Sequence, residues 1–145
     1  MFKTIIWASD GSESADRALP TALDLVAEGN AKLVVVHADE LLVGRGGRMP
    51  SLADEPEVQS KLASKVNELI ESGVDATFHL VSGEGKDPAA LIADVAYASD
   101  ADLIVVGTRG HRPIAGMLLG SVTQRLLHVA PCPVLAVPAK TVVPV

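Results

Sequence analysis

One cysteine, Cys132, and four aromatic side chains (Trp 1, Tyr 1, Phe 2) are all that this chain of 145 residues has of either kind. A lone thiol makes no internal disulfide, and four histidines without close ligand spacing add no zinc set to it. So few aromatics leave no base-stacking platform, and a net charge of −6 argues against general nucleic-acid binding. No apolar run approaches the ~18 residues that a membrane-spanning helix requires. Met1-Phe2-Lys3 leads into a short strand-like run that meets Asp10 before a signal-peptide core can develop, so the reducing cytoplasm is the expected compartment. Phosphate-binding motifs of the common kinds are missing too. Lys86 follows Gly85 but precedes Asp87, with Leu80 five residues before Gly85, and Gly83-Glu84-Gly85 runs into Pro88, so neither a Walker loop nor a dinucleotide fingerprint forms. Ser121 has no G-x-S-x-G elbow around it, and no catalytic triad can be nominated.

What is present is a chain 48% apolar, enough for one domain over residues 1–145 that buries roughly 68–70% of its unfolded surface. Apolar runs of strand length stand at Thr4–Ala8, Lys32–His37, Ala76–Val81, Leu103–Val106 and Val134–Val137, mostly without polar alternation. Strands of that kind are covered on both faces, which means a parallel sheet. Between them lie amphipathic stretches. In Glu57–Glu71 the apolar Val58, Leu62, Val66, Leu69 and Ile70 recur at helical spacing, with Lys61, Lys65, Glu68 and Glu71 turned outward. Asp87-Pro88 supplies a helix cap and first-turn proline, Gly73 a stop, and Ser12 a cap for the first helix. Pro20 should kink that helix or end it early. Leu41–Pro56, with Gly44, Gly46, Gly47, Pro50 and Pro56, reads as an irregular mobile loop or lid. The expected fold is α/β: an open, doubly wound five-stranded parallel sheet with helices on both faces and right-handed crossovers, without internal repeat or linker.

Ligands of such sheets sit beyond the carboxyl ends of the strands, where the winding reverses. Two strand exits are polar or glycine-rich. Ser9-Asp10-Gly11-Ser12 follows the first strand. Gly107-Thr108-Arg109-Gly110 follows the fourth, and nine residues separate it from Gly120-Ser121-Val122-Thr123. A strand order of 3-2-1-4-5 would bring both exits to one crevice, although nothing in the sequence determines that order. Gly107 and Gly110 can then shape a cradle of backbone N–H groups, while Gly120-Ser121 opens a helix whose positive end favours an anion, with the hydroxyls of Ser121 and Thr123 adding donors. Asp10 suits ribose hydroxyls better than phosphate. Each glycine taken alone also serves as an ordinary turn, and Ser121 as an ordinary cap. Residues 103–145 carry four basic side chains, Arg109, Arg112, Arg125 and Lys140, and no carboxylate. That segment is +4 in a chain of net −6, which fits a local anion site as well as acids clustered on other helices.

Gly107-x-x-Gly110, nine residues, then Gly120-Ser121 resembles the glycine signature of the ATP-binding class of universal stress proteins. Ile5–Ala8, the Ser9–Ser12 turn, Val34-Val35-Val36-His37, Ala101–Gly107 and Cys132-Pro133-Val134-Leu135-Ala136-Val137 resemble that family as well, across almost the whole chain. The resemblance implies a sheet of order 3-2-1-4-5 with the helices of an adenine nucleotide alpha-hydrolase-like fold and ATP between strands one and four. It implies Ala8, Ser9 and Asp10 beside adenine and ribose, Ala38 at the adenine edge, and Gly107, Arg109, Gly110, Gly120, Ser121, Val122 and Thr123 around ribose and phosphates. It also implies a homodimer through the last strand and little catalysis. No family motif aligns with Leu41–Pro56, which leaves Arg45 and Arg48 without an assigned role.

The expected function is therefore binding of ATP, AMP or a cyclic nucleotide as an occupancy switch in the stress response, with Mg²⁺ only as a companion of the phosphates and with an unidentified protein partner. Thr108–Leu119 and Leu41–Pro56 are the segments that a bound phosphate would order. Slow nucleotide hydrolysis and a nucleotide-independent interaction protein are the alternatives. Hydrolysis needs a placed base near the γ-phosphate, and none can be named. His37 and His79 read as strand residues and His128 as helical. His111, beside Arg109 and Arg112, either touches a terminal phosphate or lies in a solvated loop. Cys132, between Pro131 and Pro133, reads as a structural thiol.

Overall fold

A computed structural model describes residues 1–39, 43–44, 47–48, 55–83, 85–109 and 119–138. The elements run β1 (Thr4–Ala8), α1 (Glu13–Gly29), β2 (Lys32–Ala38), β3 (Val43–Gly44), β4 (Gly47–Arg48), α2 (Glu55–Glu71), β5 (Ala76–Val81), α3 (Pro88–Ala98), β6 (Leu103–Gly107), α4 (Ser121–Val129) and β7 (Val134–Val137). All five apolar runs become strands of one parallel sheet ordered β5-β2-β1-β6-β7. Counting those five strands along the chain, this is the order 3-2-1-4-5. β1 is central, paired with β2 from Thr4↔Lys32 to Ala8↔Val36 and with β6 from Ile5↔Leu103 to Trp7↔Val105.

Successive residues of each strand point to opposite faces, and both faces are covered. Ile5, Trp7, Leu33, Val35, Leu103 and Val105 pack under α1 and α2. Ile6, Ala8, Val34, Val36, Ile104 and Val106 pack under α3 and α4. This explains why the strands read as unbroken apolar runs. Each fully buried Ile or Val contributes about 1.5–3 kcal/mol, so the two cores together dominate the favourable terms. α1 meets the sheet through Ala15, Ala18, Leu19, Ala22 and Val26, a stripe at helical spacing made largely of alanine. Small side chains let its axis lie close to β1 and β6, and the Trp7 indole Nε1 donates to the Ala15 carbonyl at 3.0 Å.

The caps form as the sequence indicates. Ser12 Oγ accepts from Ala15 N–H at 3.2 Å, and Asp87 Oδ1 accepts from Ala90 N–H at 2.9 Å. Gly73, at φ +98°, turns the chain after α2. Two expectations need correction. Pro20 does not end α1 early, since the helix continues to Gly29: the ring lies on the exposed side, where water can satisfy the carbonyl that the missing N–H leaves free. Residues 41–56 are not uniformly irregular. Val43 pairs with Arg48 and Gly44 with Gly47 as an antiparallel ladder, and Pro56 falls in the first turn of α2, where the absent N–H costs nothing. The rest of that stretch lies outside the described residues.

The start of β6 is tied to the start of β1 through Asp102, whose Oδ2 accepts from Lys3 N–H at 2.7 Å and Thr4 N–H at 2.9 Å. These two backbone donors, Thr4 foremost, hold the carboxyl below its ordinary value of 3.8. The folded state therefore binds this proton less readily than the unfolded chain, and the resulting stability is present above pH 3.8 and lost as pH falls through the folded value. Asp102→Asn, which resembles the protonated acid, should melt below the parent by a constant margin above about pH 5. Melting curves taken stepwise into acid should show that margin closing below pH 3.8; a margin independent of pH would contradict this account.

Candidate functional site

Because β1 and β6 are adjacent and parallel, their carboxyl ends leave the sheet side by side. β1 leads through Ser9 and Asp10 into α1, which covers one face, and β6 leads towards α4 on the other. This is the point where the winding reverses. Of the residues singled out from the sequence, Ala8, Ser9 and Asp10 stand at the exit of β1, and Ala38 is the last residue of β2. Gly107 closes β6, Arg109 lies two residues beyond it, and Gly120, Ser121, Val122 and Thr123 make the cap and first turn of α4. Gly110 lies outside the described residues, as do His111 and Arg112.

The β1 exit is a hydrogen-bonded turn. Ser9 N–H donates to the Val36 carbonyl at 3.0 Å, extending the β1–β2 ladder by one residue. Ser9 Oγ accepts from Gly11 N–H at 3.1 Å, and Asp10 Oδ1 accepts from Ser12 N–H at 2.9 Å. Gly11 sits at φ +81°, and a Cβ there would lie 2.7 Å from a methyl of Val58 on α2, so both backbone and space require glycine.

Gly107 has a packing reason that the motif alone does not reveal. A Cβ on it would lie 2.5 Å from Ser14 Oγ and 2.7 Å from the Ser14 carbonyl carbon and oxygen. The first turn of α1 therefore rests directly on the end of β6. Ser14 Oγ also accepts from Arg109 N–H at 3.2 Å, and Thr123 Oγ1 donates to the Gly107 carbonyl at 2.9 Å. Ser14 thus joins the two strand exits, and spacing arguments missed it because its signal is only its place in the first turn of the helix after β1.

α4 begins differently from α1 and α3. Its N-cap is Gly120, with φ −64° and ψ 158°, and no side chain caps the turn. Gly120 N–H is held by the Thr108 carbonyl at 2.7 Å, which anchors the entry and leaves the first-turn amides of Ser121, Val122 and Thr123 without a helical partner. Those amides and the helix dipole form a positive end at the crevice. Of the basic side chains in this third of the chain, Arg125 is engaged with Asp87 at 3.2 Å, while Arg109 is exposed. Arg125 ranks below the Ala90 amide among the influences that lower the Asp87 carboxyl, and the solvated pair is worth little.

Among the described residues the buried polar side chains are Ser9, Ser12, His37 and Thr123, and all four belong to this carboxyl edge. Elsewhere, a hollow of about 540 Å³ lies between β5 and α3, and one of about 250 Å³ lies over Trp7 between α1 and α2; neither is lined by any residue chosen from the sequence. Among the described residues no group of three or more His, Cys, Asp or Glu side chains is placed to hold a metal ion. His37 lies in β2, His79 in β5 and His128 in the last turn of α4, as read from the sequence. Burial, and secondarily the charge of Asp102, raises the Cys132 thiol above its ordinary value, opposite to an activated nucleophile.

A parallel sheet wound in both directions from β1, with an uncapped helix at its switch point, defines a Rossmann-like α/β domain. Residues 1–138 match the Universal stress protein family, and the chain belongs to that family. A universal stress protein of Thermus aquaticus, from the QAH/OAS sulfhydrylase 3′ region, is 35% identical over 145 residues, covering 94% of this chain and 99% of that one. A universal stress protein solved in complex with cAMP is 28% identical, with a TM-score of 0.67 over 96% of this chain and 98% of its own. The structure of the universal stress protein from Archaeoglobus fulgidus in complex with dAMP is 27% identical, with a TM-score of 0.66 over 94% of this chain and 97% of its own.

The contact between Gly107 and Ser14 yields a stability test. Gly107→Ala should lower the unfolding free energy by about 1–3 kcal/mol, the usual cost of overpacking. Adding Ser14→Ala should recover little, because the clash includes the Ser14 backbone. Urea denaturation of the single and double variants checks both expectations.

Proposed function

We propose that this protein binds ATP or a related adenine nucleotide and acts as an occupancy switch in the stress response, with at most weak hydrolysis. The observation that carries the reading is the uncapped first turn of α4 beside the Asp10 turn, across the β1–β6 switch point. The two relatives solved with cAMP and dAMP support an adenine nucleotide as the class of ligand. In this reading Asp10 receives the ribose, Ala8 and Ser9 flank adenine and ribose, and the backbone of Ala38 meets the adenine edge. Gly107, Arg109 and Gly110 border the ribose and phosphates, which the amides of Gly120, Ser121, Val122 and Thr123 engage. Thr123 contributes mainly its amide, since its hydroxyl proton is given to Gly107. Mg²⁺ would arrive with the phosphates.

Among the described residues no strand lies beyond β7, and Leu135 on it is exposed together with Leu127 and Val129 of α4. An apolar sheet edge of that kind favours an antiparallel homodimer. Occupancy would then be read by a further protein partner in the cytoplasm. No helix among the described residues is long and apolar enough to cross a membrane.

Calorimetry with ATP, AMP and cAMP should give saturable binding for at least one of them. Gly120→Asp places a carboxylate where the phosphates would lie, yet Asp is itself a good N-cap, so the fold should be as stable as before or slightly more so. Binding should weaken at least about tenfold, 1.4 kcal/mol, without a fall in melting temperature. Absence of saturable binding in the parent, or unchanged affinity in the variant, would refute the proposal. Leu135→Arg should separately shift the sedimentation of a dimer towards the monomer while leaving nucleotide affinity in place.

A further inference from the structure

His37 reads from sequence as a strand residue and nothing more, but its surroundings give it a task. The side chain is 1% exposed, on the face of β2 that packs under α1 and α2. Its Nδ1 lies 2.7 Å from the Ser9 carbonyl oxygen, and its Nε2 lies 2.9 Å and 3.0 Å from the two carboxylate oxygens of Glu55, the first residue of α2. A carbonyl can only accept, so Nδ1 carries a hydrogen. Nε2 lies against the Glu55 carboxyl, where one proton shared between the two closes the contact. Glu55 is steadied in turn by Gln59, whose Nε2 donates to Oε2 at 3.0 Å, and by its place at the positive end of α2. On β5 the residue paired with His37 is Leu80, so the facing groups that the structure shows are the Ser9 carbonyl and Glu55.

Ser9 is the residue before Asp10 and, in the reading above, part of the nucleotide site. We propose that His37 and Glu55 position this site: the ring clamps the Ser9 carbonyl to the start of α2 and so holds the Ser9–Ser12 turn, and the Asp10 carboxylate with it, in the geometry the ribose meets. The inference rests on the nucleotide reading for its effect on affinity, and on coordinates alone for its effect on the turn. A side chain that merely filled the core would need one donor and no second partner; this one bridges Ser9 and Glu55, on separate segments 28 and 18 residues from it in the chain, through both ring nitrogens. Packing alone would also tolerate a nonpolar neighbour in place of Glu55, whereas a clamp would not.

The test uses the full chain, with Glu55→Ala and Glu55→Gln as variants. Glu55 is partly exposed, so both should fold, which melting curves establish. Glu55→Ala should move the backbone amide resonances of Ser9, Asp10, Gly11 and Ser12 while leaving those of Ile5 and Ile6, and should weaken ATP binding roughly tenfold through loss of the supporting shell. Glu55→Gln, whose amide can donate to Nε2 or accept from Nε2–H, should restore most of both. Turn resonances and affinity unchanged in Glu55→Ala would overturn the positioning role. Failure of the parent to bind ATP would instead remove the affinity arm together with the nucleotide reading, and the turn resonances alone would then decide for or against the clamp.

Discussion

The pairing of β1 with β6 is the constraint from which the rest of the molecule follows. These strands are far apart in sequence, yet Ile5, Ile6 and Trp7 lie in register with Leu103, Ile104 and Val105. That register buries the central strand on both faces and on both edges, since β2 occupies its other side. It also makes neighbours of two chain exits that would otherwise have no reason to meet. Winding one way from β1 puts α1 on the Trp7 face; winding the other way puts α4 on the Ile6 face. The crevice is what remains between two helices that depart from adjacent strands to opposite sides.

Closeness at this edge has a steric requirement, and the sequence meets it with small residues. Ala15, Ala18 and Ala22 bring α1 down onto the sheet, and Gly107 leaves room for its first turn. A motif search therefore encounters Gly107 as a phosphate-loop glycine, whereas the contact that demands glycine there is Ser14. The two roles do not compete. The absent side chain accommodates the helix, and the helix in turn positions Arg109 through the Ser14 hydroxyl. Gly11 does the corresponding service against Val58 of α2. Glycines on both sides of the switch point thus bring α1 and α2 in as walls.

The strands and helix caps were legible in the sequence because they are local. Two-sided burial leaves unbroken runs of Val, Ile and Leu, and Ser12, Asp87 and Gly73 act on amides within three or four residues of themselves. Strand order was not legible, because no property of Leu103–Gly107 says which strand it joins; only the converging glycine-rich exits, and the family likeness, pointed to the order observed. Pro20 reads from sequence as a possible early stop, but its effect depends on whether the vacated carbonyl faces water, which sequence position does not disclose. Pro56 was assigned to a loop because the helix start precedes the first strongly periodic residue. Ser14, Glu55 and the second role of His37 are not legible for a related reason: each acts on a residue distant in sequence, and no motif names that partner.

Burial of polar side chains separates the two halves of the design. Removing a hydroxyl or imidazole from water is costly unless partners replace the water, and away from the carboxyl edge the described core contains none. At that edge Ser9, Ser12, His37 and Thr123 are all buried, and each makes a hydrogen bond to backbone, to the Gly11 amide, the Ala15 amide, the Ser9 carbonyl and the Gly107 carbonyl, with His37 also reaching the Glu55 carboxyl. Side chains committed in this way are not available as the main ligand contacts. Their effect is to hold the main chain of two turns and two helix starts in fixed positions, so that in the proposed function recognition would fall mainly to backbone amides. A pocket read out mainly by backbone is tolerant of side-chain change but intolerant of added Cβ atoms and of lost buried hydroxyls. On the proposed reading, that asymmetry would let glycine and serine positions define a site in which few charged residues take part.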